Sequence, residues 1–344
     1  MYTENFKIKK YISYWLASMF WIIALMIAVG GLTRLTDSGL SITKWQLFSG
    51  FLPPLNKVDW INYFNLYKEI PEFKIQNFDM TLNEFKVIFW WEWFHRFLGR
   101  LIGIYFLIPL IYLSFKLNLK NLINLYIIFF LICFQGFIGW FMVSSGLVDR
   151  VDVSHFRLSL HLVVAFIILC LILWNYLNLK NINFSKDKIK FSLPFIFLIL
   201  IFLQITIGAF VSGMDAGKIY NSWPLMGNSF FPDDNNFFDL FRLSAFSDPS
   251  LVQFIHRKLA YIIFFYYFFL LIKIYKNKLS KYYFAITVLG IFLVVQILLG
   301  ILTLLYGAQI LLASMHQISS IFLVSSSLYL LYLSSEKSYP IKNI

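Results

Sequence analysis

Charge is what this chain has least of. Only 13% of its 344 residues are Asp, Glu, Lys or Arg, against 60% hydrophobic, and mean hydropathy is +0.73. A water-soluble core needs nothing like this, so a soluble globular fold is excluded. Acidic residues are the scarcer sign, 17 against 29 basic, which gives a net charge of +12. That surplus does not point to nucleic acid. Most of the lysines fall in short groups between apolar runs, and these groups are the ones that share a side: Lys7, Lys9, Lys10; Lys116, Lys120; Lys180, Lys186, Lys188, Lys190; Lys273, Lys276, Lys278, Lys281; Lys337, Lys342. All of these groups lie on one side of a membrane if the N-terminus is inside and eight helices alternate, which is the positive-inside pattern with both termini cytoplasmic. Lipid is therefore the expected surrounding. Cysteine is nearly absent. Cys133 and Cys170 both sit in apolar runs, so no disulfide can staple the outer loops, and both read as small buried hydrophobes. No small-x-small cleavage site follows the first apolar run, which is too long for a signal-peptide core and is expected to be retained.

What is present is length of apolar sequence. Runs of about 20 apolar residues are the mark of membrane-spanning helices. Eight are expected, at 12–31, 87–115, 122–145, 158–178, 191–212, 251–272, 282–305 and 308–333, which makes the chain an all-α integral membrane protein. Long outer loops follow the first and fifth, near 32–86 and 213–250. LPPL (Leu52–Leu55) and NSWPLMG (Asn221–Gly227) interrupt any helix there, because proline lacks the donor and fixes φ. Trp45, Trp60 and Trp223 suit headgroup depth.

The two halves repeat each other. IAVGGLTRLTDSGLSITKW from Ile27 matches ITIGAFVSGMDAGKIYNSW from Ile205, with Gly30/Gly208, Asp37/Asp215, Gly39/Gly217 and Trp45/Trp223 all 178 residues apart. His95 and His256 stand 161 apart, as do Gln135 and Gln296; His161 and His316 follow, 155 apart. Repeats decide a fold before local signals do. Four helices per half is an even number, so both halves enter the membrane in the same orientation, about an axis along its normal. The expectation is two pseudo-symmetric four-helix bundles, residues 1–180 and 181–344, joined by the basic loop NINFSKDKIK.

Each expected bundle offers two histidines, from its second and fourth helices, near the outer side. Facing side chains across a four-helix bundle are a common way to hold haem or metal, and ionisable groups in membranes are functional by default. Two neutral imidazoles per half suit six-coordinate haem iron; they are too few ligands for zinc or copper. Arg96 and Arg257 follow the first histidine of each half, with Arg100 one turn on, and are placed to pair with haem propionates. Glu92 shares a helix face with His95, whereas the matching residue of the second half is Gln253. One half thus has a carboxylate beside its expected iron and the other does not, which suggests one reacting haem and one that passes electrons. The competing reading of Glu92 is a salt bridge to Arg96. Gln135 and Gln296, each followed by glycine, read as close-packing positions. His155, without a partner in the second half, reads as an interfacial loop residue.

GGLTRLTDSGLSITKW, FWWEWFHRFLGRLIG, QGFIGWFMVSSGL, RLSLHL, QITIGAFVSGMDAGKIYNSWPLMG, QFIHRKLAY and QILLGILTLL with the later HQ together resemble the haem A synthase family of alpha-proteobacterial and mitochondrial type, through nearly the whole chain. The resemblance implies oxidation of the C8 methyl of haem O to a formyl group, by way of an alcohol and a geminal diol, giving haem A for terminal oxidases. It implies haem O between His95 and His161, haem b between His256 and His316, and a functional glutamate at Glu92. It also implies a bacterial inner membrane, with haem sites towards the periplasm. The partners expected are the haem O-producing farnesyltransferase, an electron-transfer partner and a second copy of the chain. Some bacterial relatives carry paired cysteines in the outer loops; this chain has none there. Two other readings stand beside it. A diheme electron-transfer cytochrome b would hold two permanent haems and leave haem O unchanged. A proton-coupled transporter would gather polar residues at the membrane midplane, whereas here they gather near the outer face.

Overall fold

The computed structural model describes residues 2–44, 49–149, 151–180 and 188–335. Trp45, Lys186, Lys337 and Lys342 lie outside the described residues. Among the described residues ten α-helices form: α1 (Tyr2–Leu35), α2 (Lys57–Tyr67), α3 (Pro71–Ile75), α4 (Leu82–Lys116), α5 (Leu119–Asp149), α6 (His155–Asn178), α7 (Ser192–Gly213), α8 (Pro249–Lys276), α9 (Tyr283–Leu305) and α10 (Ile310–Ser334). Eight of them, all but α2 and α3, are long and apolar enough to cross a membrane. A helix is the economical solution there, since every backbone group is satisfied inside the segment. Side chains such as Trp21, Phe115, Phe265 and Phe284 point outward and bare, as a lipid-facing surface requires.

Several helices run further than the apolar stretches predict. α4 begins at Leu82 rather than near 87 because Thr81 and Glu84 form a capping box. The Thr81 N–H and hydroxyl donate to the Glu84 carboxylate at 2.8 and 2.7 Å. This polar start lets the helix rise out of the membrane.

Packing follows the repeat. α1 packs on α4 and α6, and α5 packs on the same two. α7 packs on α8 and α10, and α9 packs on the same two. Between these groups the contacts are α1 with α10, α6 with α7, and α6 with α10. Exchanging α1 for α7, α4 for α8, α5 for α9 and α6 for α10 reproduces the same pattern. One apolar core, including Leu16, Met19, Phe106, Phe197, Ile286 and Val324, runs through all eight spans. In lipid such a core holds by close contact rather than by exclusion of water. At the junction the Gln317 amide crosses from α10 to donate to the Ile27 carbonyl at 3.0 Å, against the bare backbone of Gly31.

The halves differ outside the membrane. In the first, α2 and α3 fold over the outer ends of α4 and α5 as a cap with its own aromatic cluster, including Phe64, Tyr67, Phe85 and Phe89. Trp60 packs edge-on to Phe89 there at 4.9 Å. The corresponding second loop has only short 3-10 turns, such as Phe237–Phe241, and leaves Trp223 half-exposed.

Within the cap, Glu72 is 3% exposed. It accepts from the Tyr67 hydroxyl at 3.1 Å, and its Oε2 has no partner. Burial pushes its carboxyl up to about 8, against the lowering effect of Tyr67 and with a further rise from Glu92. The folded protein therefore holds a proton on Glu72 that the unfolded chain gives up above about 4.3. Stability from this group is fully present below that value and is lost as pH rises towards 8. Glu72→Gln is expected to remove this slope and to protect the cap above pH 8 by a few kcal/mol at most. Limited proteolysis of the outer loop from pH 5 to 9 checks it; identical pH trends in both proteins would reject the cause.

Candidate haem-binding site

The four histidines of the repeat all fall within membrane-spanning helices. His161, His256 and His316 lie six, seven and six residues after the starts of α6, α8 and α10; His95 lies thirteen into α4, because that helix starts in the cap. All four rings are half-buried. In the first half His95 and His161 face each other across the helices, ring centres 6.4 Å apart and planes at 86°. Two metal–imidazole bonds of about 2 Å each, plus two half-rings, fill a span of this size.

Each ring rests on a glycine of a neighbouring helix. A methyl group built at Gly30 of α1 would lie 3.3 Å from His95 Nε2, and one at Gly139 of α5 would lie 3.1 Å from His161 Cε1. At Gly208 of α7 and Gly300 of α9 the distances to Cε1 of His256 and His316 are 3.0 and 2.9 Å. At Gly300 the approach is closer than real side chains show, and at the other three it is tighter than most, so any other residue would press on the imidazole. Gly30 and Gly208 match in the repeat, as do Gly139 and Gly300. The matched spacing was visible in sequence, but its meaning as clearance for an imidazole was not.

Glutamines hold the histidine-bearing helices. Gln135 donates to the His161 carbonyl at 2.9 Å. The Gln296 amide lies 3.3 Å from the His316 ring nitrogens and its oxygen accepts from Ser319. Gln204 donates to the His256 carbonyl at 3.0 Å and sits 3.2 Å from His256 Nε2. Nδ1 of His161 and of His256 is buried without a protein partner. A polar atom left so inside a membrane is costly unless another group takes it. Paired rings, glycine cradles and orphaned nitrogens all fit a haem between the members of each pair. Gln135 and Gln296, read from sequence as packing residues, therefore also touch the candidate ligands.

Glu92 is 2% exposed, and both its oxygens are engaged. Oε1 accepts from Arg96 Nε at 3.1 Å and Nη2 at 2.5 Å. Oε2 accepts from the Ser41 hydroxyl at 2.7 Å and the Ile42 N–H at 2.6 Å. The salt bridge weighed as the competing reading is thus present, and it also ties down the first outer loop. Arg96 Nη2 donates to the Ile42 carbonyl at 2.8 Å; in the second half Arg257 Nη2 donates to the Tyr220 carbonyl at 2.9 Å. Ile42 and Tyr220 are matched residues, so both arginines clamp the same point of the repeat. Gln253, standing where Glu92 stands, joins that clamp with a 3.1 Å bond to the Tyr220 carbonyl. Arg100 donates to the Gly50 carbonyl at 3.0 Å and lies over the Phe51 ring.

Beneath the first loop lies a small cavity of about 20 Å³, lined by Ile42, Lys44, Tyr63, Trp93, Arg96 and Arg100. Three cations converge there, and Lys44 was not anticipated from sequence. Also unanticipated is Arg34, at the end of α1. Its Nη2 donates to the Ser212 carbonyl at 2.9 Å and its Nη1 meets Asp37 at 2.7 Å, with Asp215 and Asp152 at 3.7 and 3.8 Å. Ser212 is its own counterpart in the repeat, so this one guanidinium spans the junction of the halves. The break in symmetry was the available signal. His155 opens α6 and packs on Phe210 of α7, ring centres 5.3 Å apart, against the bare backbone of Gly213.

Comparison with known proteins agrees with this architecture. Residues 13–328 match the family described as cytochrome oxidase assembly protein. A haem A synthase of Pelagibacter ubique is 49% identical over 97% of this chain and 100% of its own length. Those of Rickettsia bellii and Rickettsia felis are each 43% identical over 92% of this chain and 96% of theirs. The chain is a multi-pass membrane protein and belongs to the cytochrome oxidase assembly protein family.

Proposed function

We propose that this protein is a haem A synthase, an oxidoreductase that converts the C8 methyl of haem O to a formyl group. The observation that carries the chemistry is a duplicated site with one acid. Two matched histidine pairs rest on matched glycines, and only the first has a carboxylate, Glu92, where the second has Gln253. Residues 1–180 are the substrate half, with His95 and His161 positioning haem O. Residues 181–344 are the cofactor half, with His256 and His316 holding haem b, which supplies one-electron transfer when bound. Lys44, Arg96 and Arg100 line the cavity at the outer end of the substrate half and suit two propionates; Arg257 has the matching place in the other half.

Glu92 and Arg96 have a double task in this reading. They hold Ser41 and Ile42 down over the outer end of the site, which excludes water and strengthens the local electrostatics. The Glu92 carboxylate is also the one acid positioned to accept or stabilise a proton beside His95. Both termini are cytoplasmic and the sites face the outside of a bacterial inner membrane, as the lysine distribution supports. A haem O-producing farnesyltransferase and an electron-transfer protein are the expected partners.

The test is haem extraction from membranes of a host that makes haem O, with and without this protein, resolved by chromatography and mass. A haem A peak that appears only with the protein is the expected result. Haem B alone, two per chain, with haem O unchanged, would replace this reading with the diheme cytochrome.

A further inference from the structure

Glu92 is one of several places where the outer ends of the two halves differ. Trp93, next to it on α4, matches Phe254 of α8, and Arg100 matches Tyr261, both pairs 161 residues apart. Lys44 matches Ser222 at the other spacing of 178. Of the three cations that line the outer cavity, only Arg96 has a basic counterpart, Arg257. Phe254 has no polar atom to offer; its ring packs on Phe231 at 5.1 Å and lies 4.9 Å from the Lys258 ammonium. Trp93 stacks on Phe97, ring centres 4.9 Å apart and planes at 14°, and meets Trp90 edge-on at 5.4 Å. These contacts fix its indole beside the cavity. Among the described residues the buried Trp93 Nε1–H has no hydrogen-bond partner.

An indole nitrogen only donates, and a buried tryptophan usually finds an acceptor. Leaving such a donor unmet inside the protein is costly. The other side chains around the cavity do little to meet it. Ammonium and guanidinium groups are donors alone, and the Tyr63 hydroxyl is the one exception. A ring of donors around about 20 Å³ has room for one small polar group and suits an oxygen of a carboxylate. We propose that Trp93 is a specificity-determining residue: its N–H donates to a propionate oxygen of the haem in the first half, a bond that Phe254 cannot make in the second. Lys44, Arg96 and Arg100 attract the charge, whereas the indole is held at a fixed angle and adds direction. A substrate must present one particular methyl and a cofactor need not, so the directional donor belongs in the substrate half. This inference rests on the two-site reading above.

The experiment titrates the purified full-length chain with haem b and, separately, with iron etioporphyrin, which carries ethyl groups and no carboxylate, and follows the Soret band. His95→Ala and His256→Ala first assign the two binding steps to the two halves. Trp93→Phe keeps an aromatic ring and copies the second half. It is expected to weaken haem b binding in the first half by about tenfold, the worth of one hydrogen bond to a charged group. Binding of iron etioporphyrin, and the second step with either probe, should not change. An equal loss for both probes would make Trp93 a packing residue and overturn the proposal, as would no loss for either. The unaltered chain gives a check that needs no variant: removing the carboxylates should cost the first half more affinity than the second, and equal costs would also overturn the proposal. A chain in which His95→Ala removes no binding step would overturn the two-site reading and this inference together.

Discussion

Replacing Glu92 by alanine is expected to abolish haem A formation, with haem O accumulating in its place. Two separate losses add here. Removing one partner of a buried ion pair costs about 3–5 kcal/mol because the other charge is left unpaired. In this protein the remaining charge is Arg96, which would lose its carboxylate while still clamping the Ile42 carbonyl. The loop over the site would thus lose the bonds to Ser41 and Ile42 and the anchor of its guanidinium together. Glu92→Gln separates latch from chemistry. An amide oxygen still accepts from the Ile42 N–H, much as Gln253 serves the clamp of the second half. The negative charge and the proton site are gone. Loss of an acid–base group typically costs 10²–10⁴ in rate, roughly. Glu92→Gln should therefore keep two haems per chain and an intact loop, yet lose at least about 10²-fold in haem A yield. If it forms haem A as well as the unaltered chain does, Glu92 is a latch and the acid must be sought elsewhere.

The second large effect needs no change to a histidine. Gly208→Val and Gly300→Val are expected to strip haem from the second half while leaving the first half loaded. A first carbon at these positions already lies 3.0 and 2.9 Å from the imidazole carbons of His256 and His316, and valine adds two methyls beyond it. The ring must turn or the helices must part, and a well-packed interior resists both. Gly103 and Gly136 provide the control, since a side chain begun at either meets nothing within 4 Å. Haem content per chain, measured on the purified protein, should fall from two towards one for Gly208→Val or Gly300→Val. Gly103→Val and Gly136→Val should stay at two. Equal losses at all four positions would mean that valine disturbs the helices generally and that the cradle has no special role.

Sequence by itself determined much of this molecule, for physical reasons that can be named. Eight apolar runs make eight spanning helices because a bilayer leaves few other backbone solutions. Spacings of 161 and 178 residues exposed the repeat, and the repeat drew attention to His95, His161, His256 and His316. The substitution of Glu92 by Gln253 at one matched position marked where the halves differ in chemistry. Each of these signals is local or periodic, and so survives in one dimension. Tertiary structure decided the rest. Whether Glu92 stood free or paired depended on Ser41 and Ile42, some fifty residues earlier, folding back onto its carboxylate. Gly139 and Gly300 read as ordinary packing glycines until α6 and α10 laid histidines on them. Lys44 joined Arg96 and Arg100 only once the first loop closed over α4, and Arg34 found its partners across the two halves. Spacing along a chain can put two groups on one helix face, but contacts between distant segments are settled by packing and by which polar atoms would otherwise be left without a partner.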